Sequence, residues 1–567
     1  MGGGQSRLEE VDGVPYLVHP QCLAKVVDSA NVSQKLSTVV PVVLLQVGCD
    51  YLSLFSAPEP EKGSSGYSIV SKLLIASLAF STRSQAPESH LPPSPYFLRD
   101  GGIHQAYRLY EDTLDSFIFG VIPLDALNPE EYVPLDLLSP NGLWKRIAVP
   151  SRLCTVRTSE TPLAGARMGI KDIFRLKGTQ TTMMSRPWIE LHDPDGQSAD
   201  YTMKLIKLGA VIVGKTKMTS FASPEEPTDQ WVDFHCPVNP RGDGYQSPSS
   251  SSTGAATSLA GYDWLDFSIA GDSAGSVRAP APCNGLFSLR PSFGSTSMNG
   301  IPVNSPAFDT VGQFGRSLDD LQFIVSHTFE NIHQNFSEFP SRILYPKEFY
   351  PLANAEQQAM TEDAKFGKNP FVSSVVRFRW DLGKDVTLQE YEVYVKQLEV
   401  FRNWFTENFM GPDSKTLSNA ILIMPYGEPH PEYRDEASPP AGTFPTIAEK
   451  FISPILLAPQ LVLPFAQMSY LSKVSGRPEM RPIASTMIGA KGSDLMLIKL
   501  ATEAFKKAGW PTSIQTGRYM YPVADNARNA GSVPGDSLAA YETRQRAVQE
   551  LQKAFENSIG GLVCNAM

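Results

Sequence analysis

The sequence predicts an α/β fold for its larger, C-terminal part. From Leu163 onward, short apolar segments alternate with glycine-rich turns and amphipathic stretches, an alternation typical of α/β domains. Residues 198–209 predict a helix closed by a glycine, and the apolar run 210–213 predicts the buried strand that follows it. Further along the chain, Thr387-Leu388-Gln389-Glu390 forms a capping box. It opens a helix whose apolar stripe, Leu388 to Phe405, is expected to pack against the core.

The chain of 567 residues is long enough for one large or two moderate domains. Its N-terminal part has a different pattern of residue types. Residues 39–47 are rich in β-branched residues, and residues 67–80 have helical apolar spacing. We therefore expect a smaller α+β extension over residues 1–140 and a main domain over residues 141–567. The extension is expected to serve packing or dimerisation, which leaves a homodimer open, or to wall one side of a substrate pocket.

Composition excludes several classes of function. The formal net charge is -10 and the pI about 5.4, which argues against a nucleic-acid groove or an anionic membrane surface. No apolar run is long enough to span a bilayer, so no stable membrane insertion is expected. The six cysteines are scattered without CxxC pairs, and no nucleotide or flavin motif appears. We therefore expect neither metal nor cofactor, and a reducing, cytoplasmic setting.

The N-terminus carries one targeting pattern. Gly2 followed by Ser6 matches the N-myristoylation motif. A flexible glycine-rich start explains the same residues and is the interpretation we favour. A single acyl chain would in any case anchor the protein only weakly.

Three segments have compositions that are unusual for plain structure. Lys171 lies in an apolar strand, where burial would lower the pKa of its amine toward that of a base, although a strand-edge lysine can also extend to solvent. The serine run 247–252 leads directly into a small-residue helix rather than a solvated linker. Residues 270–281 form a small-residue loop whose backbone N–H groups could approach a substrate oxygen, or which could simply turn between core elements.

Together, in order and spacing, these segments resemble the amidase signature family. That family has a Lys-Asp strand, a GGSSGG-type turn and a GTDTGGSIR-type loop followed by proline; here the loop is Gly271-Asp272-Ser273-Ala274-Gly275-Ser276-Val277-Arg278. The resemblance covers about residues 141–567. It implies a large mixed β-sheet covered by helices on both faces.

The resemblance also implies a role for each matching residue. Ser276 is the expected nucleophile, and Ser252, after a cis peptide bond from Ser251, is expected to bridge it to the base Lys171. Backbone N–H groups of Ser273, Ala274, Gly275 and Ser276 are expected to hold the oxyanion. The expected supporting residues of the loop are Asp272, Arg278 and Ser251.

The implied function is hydrolysis of a carboxylic acid amide through an acyl-enzyme, on an apolar or aromatic small-molecule amide or ester. The same acyl-enzyme could instead pass its acyl group to an amine or alcohol. A third alternative is a non-catalytic binding protein on the same fold, since Ser250 and Ser251 replace the family's glycine pair.

A rival motif lies inside the third segment. Residues 271–275 satisfy G-x-S-x-G, the nucleophile elbow of α/β-hydrolases, which would make Ser273 the nucleophile. That motif requires a sustained helix after the serine. Pro280 and Pro282 would interrupt such a helix, so we disfavour this alternative.

Overall fold

The computed structural model describes residues 7–11, 13–22, 24–25, 43–46, 52–55, 76–77, 96–99, 102–152, 155–330, 332, 335–345, 373–384, 386–426, 431–438, 440, 448–525, 529–530, 550–551, 553–555, 557 and 563–564. The predicted myristoylation site at Gly2 lies outside these residues. Among them, no helix combines the length and apolar character needed to cross a bilayer.

The chain divides into two compact units that interleave along the sequence. The first comprises residues 1–112, 119–167 and 205–213; the second comprises residues 113–118, 168–204 and 214–567. Because the units interleave, a single boundary at residue 140 stays a prediction.

The first unit is built on an antiparallel sheet. The strands of this part of the chain are β1 (Arg7–Val11), β2 (Val14–Val18), β3 (Ala24–Lys25), β4 (Val43–Gln46), β5 (Leu52–Phe55), β6 (Ala76–Ser77), β7 (Tyr96–Arg99), β8 (Gly102–Glu111), β9 (Phe117–Pro123), β10 (Tyr132–Leu135) and β11 (Arg146–Pro150). Their order in the sheet is β1-β2-β8-β7-β4-β5-β6, and β3 and β11 also pair with β8. Strand β10 pairs with β9 in antiparallel register, and both belong to a second, 13-stranded sheet.

The core of this unit forms where alternate strand residues face inward. Leu17, Tyr107 and Leu109 pack with Ile122 and Ala148, and all five are almost fully buried. The described residues of the extension form strands and turns, and residues 43–46 of the β-branched run 39–47 form β4. The helix predicted over residues 67–80 lies outside the described residues except for residues 76–77, which form β6.

The remaining elements follow in chain order. They are β12 (Arg167–Lys171), α1 (Arg186–Leu191), α2 (Asp200–Lys207), β13 (Val211–Thr216), a short 3-10 turn (Ser220–Ala222), α3 (Thr253–Gly261), β14 (Phe267–Asp272), α4 (Pro280–Asn284), β15 (Phe287–Arg290), β16 (Thr310–Gly315), α5 (Leu318–Thr328), β17 (Ile343–Leu344), α6 (Ser374–Lys384), α7 (Leu388–Asn408), β18 (Ile421–Pro425), α8 (Glu449–Leu456), β19 (Gln460–Leu471), β20 (Pro478–Ile488), α9 (Asp494–Lys507), β21 (Asn529–Ala530) and β22 (Val563–Cys564).

A mixed sheet forms the centre of the second unit. The strand order is β12-β14-β16-β15-β19-β20-β18-β17-β22. The β12–β14 and β17–β18 pairs are parallel, whereas β14–β16, β15–β16, β15–β19 and β19–β20 are antiparallel. Helices α3, α5 and α9 contact these strands, which confirms the predicted α/β class with a large mixed sheet.

Helix α3, which follows the serine run directly, is packed closely against neighbouring backbone. Residues 253–260 are all buried. A Cβ atom added to Gly254 would lie 2.2 Å from the carbonyl oxygen of Ser116 and 2.6 Å from the backbone nitrogen of Lys217. Only glycine therefore permits this approach. The alternative of a solvated serine linker is excluded, and the predicted packed helix is confirmed.

The prediction for α7 is confirmed at its start and wrong along its face. The capping box between Thr387 and Glu390 is present. Phe405 is buried, but Leu388 is 73% exposed and Tyr391 43% exposed. Helical spacing identifies a stripe of apolar residues, but whether a partner element covers that stripe is decided by the tertiary fold.

Candidate active site

Lys171 lies at the end of strand β12, where its side chain is buried among hydroxyl groups. Its Nζ donates hydrogen bonds to Ser251 Oγ at 2.7 Å and to Ser252 Oγ at 2.9 Å. Ser251 Oγ is in turn 2.8 Å from Ser276 Oγ. Lys171, Ser251 and Ser252 are at most 1% exposed, whereas Ser276 is half-buried. The three segments singled out in the sequence thus meet in a relay that ends at one accessible hydroxyl.

The bridging position in this relay is occupied by Ser251, which corrects the expectation that Ser252 bridges. The cis peptide bond precedes Ser251 rather than Ser252. Ser252 Oγ contacts Lys171 and, at 3.5 Å, the carbonyl oxygen of Gly271, while its backbone N–H donates to the Ser276 carbonyl at 3.3 Å. The family spacing selected Ser252 because a count of residues assumes that the intervening loops have the family's length. Here the chain between bridge and Ser276 is one residue longer.

Burial gives Lys171 the properties of a base. Removal from water lowers the pKa of the Lys171 amine to about 7, although the carboxylates of Asp272, Asp309 and Asp172 each favour the charged form. A substantial neutral fraction therefore exists near neutral pH. The alternative of a lysine extending to solvent is excluded by this burial.

The loop that carries Ser276 is organised around one buried carboxylate. Asp272, at the end of β14, accepts hydrogen bonds from the backbone N–H groups of Gly275, Val277 and Arg278 at 3.0–3.3 Å. It also pairs with the guanidinium groups of Arg278 at 2.8 Å and Arg290 at 2.9 Å. Asp272 and Arg278 thus hold the backbone of the loop in place.

Charge pairing keeps Asp272 ionised despite its burial. Burial alone would raise the pKa of this carboxyl, but the charges of Arg278 and Arg290 and the hydrogen bonds hold it well below its usual range. The Arg290 pKa is lowered to about 10, chiefly by burial. Arg278 Nη1 donates to the Lys450 carbonyl oxygen at 2.8 Å, so the charged cluster also holds the start of α8 in place.

The predicted oxyanion donors differ in availability. Within the part of the chain that the structure describes, the amide N–H groups of Ser273, Ala274 and Ser276 donate no hydrogen bond. The Gly275 N–H instead donates to Asp272 at 3.0 Å. Gly275 was expected among the donors, and this is corrected: its N–H closes the turn around the carboxylate. Its φ of +124° explains why glycine stands here.

The nucleophile-elbow alternative at Ser273 is not supported by the geometry. The Ser273 hydroxyl donates to the Asp309 carboxylate, not to an imidazole. The helix after the loop, α4, has only five residues, begins at Pro280 and ends at Gly285 in the left-handed conformation. The sustained helix that the elbow requires is therefore missing at this position.

Two residues that contact the loop, Asp309 and Arg290, were not identified from the sequence. Asp309 stands directly before β16 and reaches the loop because Asp272 and Thr310 are paired between β14 and β16. A single aspartate before a strand carries no motif, so only strand pairing identifies it. Arg290 lies outside the three segments singled out in the sequence, and its contacts with Asp272 follow only from the tertiary fold.

Comparison with known proteins identifies the family to which part of the chain is similar. Residues 147–400 match the family model described as Amidase. Over these residues the chain is similar to the amidase family. It is 30% identical over 226 residues to Amidase 1 of Arabidopsis thaliana, covering 38% of this chain and 52% of the relative. It is 34% identical over 164 residues to Amidase 1 of Oryza sativa subsp. japonica, covering 29% of this chain and 37% of that relative.

These relatives are matched over part of their length, since the chain spans about half of the first and little more than a third of the second. Among solved structures, the chain is similar to 6-aminohexanoate cyclic dimer hydrolase complexed with substrate. That similarity has 16% identity and a TM-score of 0.44, and it covers 60% of this chain and 84% of the hydrolase.

Proposed function

We propose that the protein hydrolyses a carboxylic acid amide through an acyl-enzyme on Ser276, with Ser251 as the bridge and Lys171 as the base. The observation that carries this proposal is the continuous hydrogen-bonded relay of 2.7 Å and 2.8 Å from Lys171 Nζ through Ser251 Oγ to Ser276 Oγ. A buried lysine with a pKa of about 7 at one end, and a half-buried serine at the other, match what base-activated nucleophilic catalysis needs.

The first step moves one proton along the relay. Hydroxyl groups rotate to suit their partners, so the two bonds can reverse direction without changing the distances between the oxygen and nitrogen atoms. The neutral Lys171 amine accepts the Ser251 proton while Ser251 accepts the Ser276 proton. The Ser276 oxygen then bonds to the substrate carbonyl carbon, and the carbonyl oxygen becomes an oxyanion near the N–H groups of Ser273, Ala274 and Ser276.

The second step returns the proton in the opposite direction. The C–N bond breaks as Lys171, through Ser251, protonates the nitrogen of the leaving amine. A basic amine needs this proton to leave, which suits the relay to amides. Water then attacks the Ser276 ester and loses its proton to the same relay. The acid is released and the serine hydroxyl is restored.

Aromatic side chains near the bridge support an apolar or aromatic acyl group. The Thr219 N–H donates to the Ser251 carbonyl oxygen at 3.1 Å, so the following turn lies beside the relay. In that turn Phe221 packs edge-to-face against Trp188, at 5.7 Å between ring centroids, and against Trp380, at 5.1 Å. All three rings are half-buried. A flat ring would find edge-to-face partners there.

Intact-mass spectrometry after treatment with an activated fluorophosphonate tests the nucleophile. Wild-type protein should gain one adduct that is absent from Ser276→Ala and kept in Ser273→Ala. Ser251→Ala should label far more slowly than Ser252→Ala, because only the former interrupts the relay. No adduct on wild type would reject catalysis and favour a non-catalytic binding protein.

Substrate class is tested with matched aryl and short alkyl amides. An aryl amide should be preferred, and Phe221→Leu should reduce that preference. Adding hydroxylamine separates the two fates of the acyl-enzyme: free acid indicates hydrolysis, whereas a hydroxamate formed in its place indicates acyl transfer. Equal rates on both amides would contradict the aromatic assignment.

A further inference from the structure

The hydrogen bond between Ser273 and Asp309 has no part in the relay. It joins the first residue of the loop to a turn on the neighbouring strand. Asp309 is 9% exposed, and its carboxylate also accepts the backbone N–H groups of Asn304 at 2.8 Å and Ser305 at 2.9 Å. Asp309 is therefore held rigidly from its own side and presents one fixed acceptor to the Ser273 hydroxyl.

A second set of contacts fixes the same loop residue through its backbone. The Asp272 carbonyl oxygen accepts from Arg290 Nη1 at 2.5 Å and from Thr310 Oγ1 at 3.2 Å. The Ser273 carbonyl oxygen also lies 3.5 Å from Arg290 Nη1. Both successive carbonyl groups thus point toward Arg290, and Arg290 Nη2 ties this side to the Phe308 carbonyl at 2.5 Å.

The direction of these carbonyl groups determines the direction of the oxyanion donors. In a planar trans peptide the C=O of one residue and the N–H of the next point in opposite directions. Since the carbonyl groups of Asp272 and Ser273 face Arg290, the N–H groups of Ser273 and Ala274 face away from it. Any rotation of residue 273 would turn both N–H groups at once.

We propose that Asp309 is a positioning residue for catalysis: by holding the Ser273 hydroxyl, it stops residue 273 from rotating and keeps the Ser273 and Ala274 N–H groups aimed at the developing oxyanion. The inference rests on the proposed function, because it assigns an oxyanion to this loop. It also gives Ser273 a role that its nucleophile-like motif does not.

The direction of the oxyanion-hole N–H groups affects the transition state more than the ground state, because negative charge on the substrate oxygen develops only in the transition state. Loss of the Ser273–Asp309 bond should therefore lower kcat and leave KM nearly unchanged. The rate of phosphonylation should fall as well, since the phosphoryl oxygen occupies the oxyanion position in that reaction.

The test is a double-mutant cycle on the second-order rate of fluorophosphonate labelling at Ser276. Ser273→Ala and Asp309→Ala should each slow labelling by about ten- to a hundredfold. The double variant should be no slower than the slower single variant, because both changes remove one shared bond. Asp309→Asn keeps an acceptor oxygen and should recover most of the rate.

The control is Ser297→Ala, which removes a comparable hydrogen bond of 2.6 Å from a serine hydroxyl to Asp200 in an exposed turn and should label at the wild-type rate. Rates are normalised to folded protein from thermal melts. Wild-type labelling in Ser273→Ala, or fully multiplicative losses in the double variant, would overturn the positioning role alone. An unlabelled wild-type protein would overturn the proposed function and this role with it.

Discussion

Burial of Lys171 should be visible as a pH dependence of stability, independent of any substrate. With a pKa of about 7 in the folded protein and about 10.4 when unfolded, the side chain binds fewer protons in the folded state across this interval. The free energy of unfolding therefore rises with pH there. Replacing Lys171 with Met removes this contribution while keeping a side chain of similar length.

The magnitude follows from the size of the pKa shift. Each pH unit inside the interval changes the free energy by about 1.4 kcal/mol. Between about pH 7.5 and 9.5, wild-type protein should gain about 2–3 kcal/mol of unfolding free energy relative to Lys171→Met. The lost hydrogen bonds to Ser251 and Ser252 shift the variant by a constant amount and leave this difference in slope intact.

Urea unfolding of both proteins at several pH values measures the difference. Lys204→Met, which removes a lysine from a partly exposed pair with Glu330, controls for loss of a lysine as such. The same titration should appear in labelling of Ser276, with a rate that rises about tenfold per pH unit below about pH 7 and levels off above it. Parallel stability curves for wild type and Lys171→Met would refute the assignment of Lys171 as a buried, largely neutral base.

Three further predictions concern the neighbourhood of the relay. Ser251→Ala should slow labelling by about 10²- to 10⁴-fold, and Ser252→Ala by less than tenfold. The measurement is adduct formation over time. Equal losses in the two variants would contradict the assignment of Ser251 as the bridge. Asp272→Asn should lower the free energy of unfolding by about 3–5 kcal/mol, because two buried guanidinium groups lose their counter-charge; a loss below about 1 kcal/mol in urea unfolding would contradict the role of the cluster. Gly254→Ala should destabilise by about 1–3 kcal/mol through overpacking, whereas Gly196→Ala, where an added Cβ meets nothing within 4 Å, should not; comparable melting temperatures would argue against the close packing of α3.

Much of the site could be predicted because its residues lie in segments whose composition is unusual. Lys171 stands out in an apolar strand, and the loop around Ser276 keeps enough of the family pattern to be recognised. The choice between Ser251 and Ser252 could not be made, since adjacent serines are chemically identical and differ only in loop length and backbone direction. The engagement of the Gly275 N–H by Asp272 depends on a turn that residue types alone do not specify.

Contacts between residues far apart in the sequence could not be predicted either. Asp309 contacts Ser273 because strands β14 and β16 are antiparallel neighbours, and that pairing joins segments nearly forty residues apart. In the same way, the exposed stripe of α7 follows the helical period as predicted, but period says nothing about which element covers it. Local patterns identified the elements, and tertiary pairing assigned their contacts.

Helix α3 has a consequence for the base as well as for the serines. Ser252 occupies the position directly before its first turn, and the Ser252 hydroxyl lies 2.9 Å from Lys171 Nζ. The aligned peptide dipoles of a helix place partial positive charge at this end, so the lysine ammonium faces a repulsive field that the neutral amine does not. Burial is the largest cause of the lowered pKa of Lys171, and the helix dipole lowers this pKa further. A change that unwinds the first turn of α3 should therefore make Lys171 a more strongly protonated, and hence a weaker, catalytic base even if every serine stays in place.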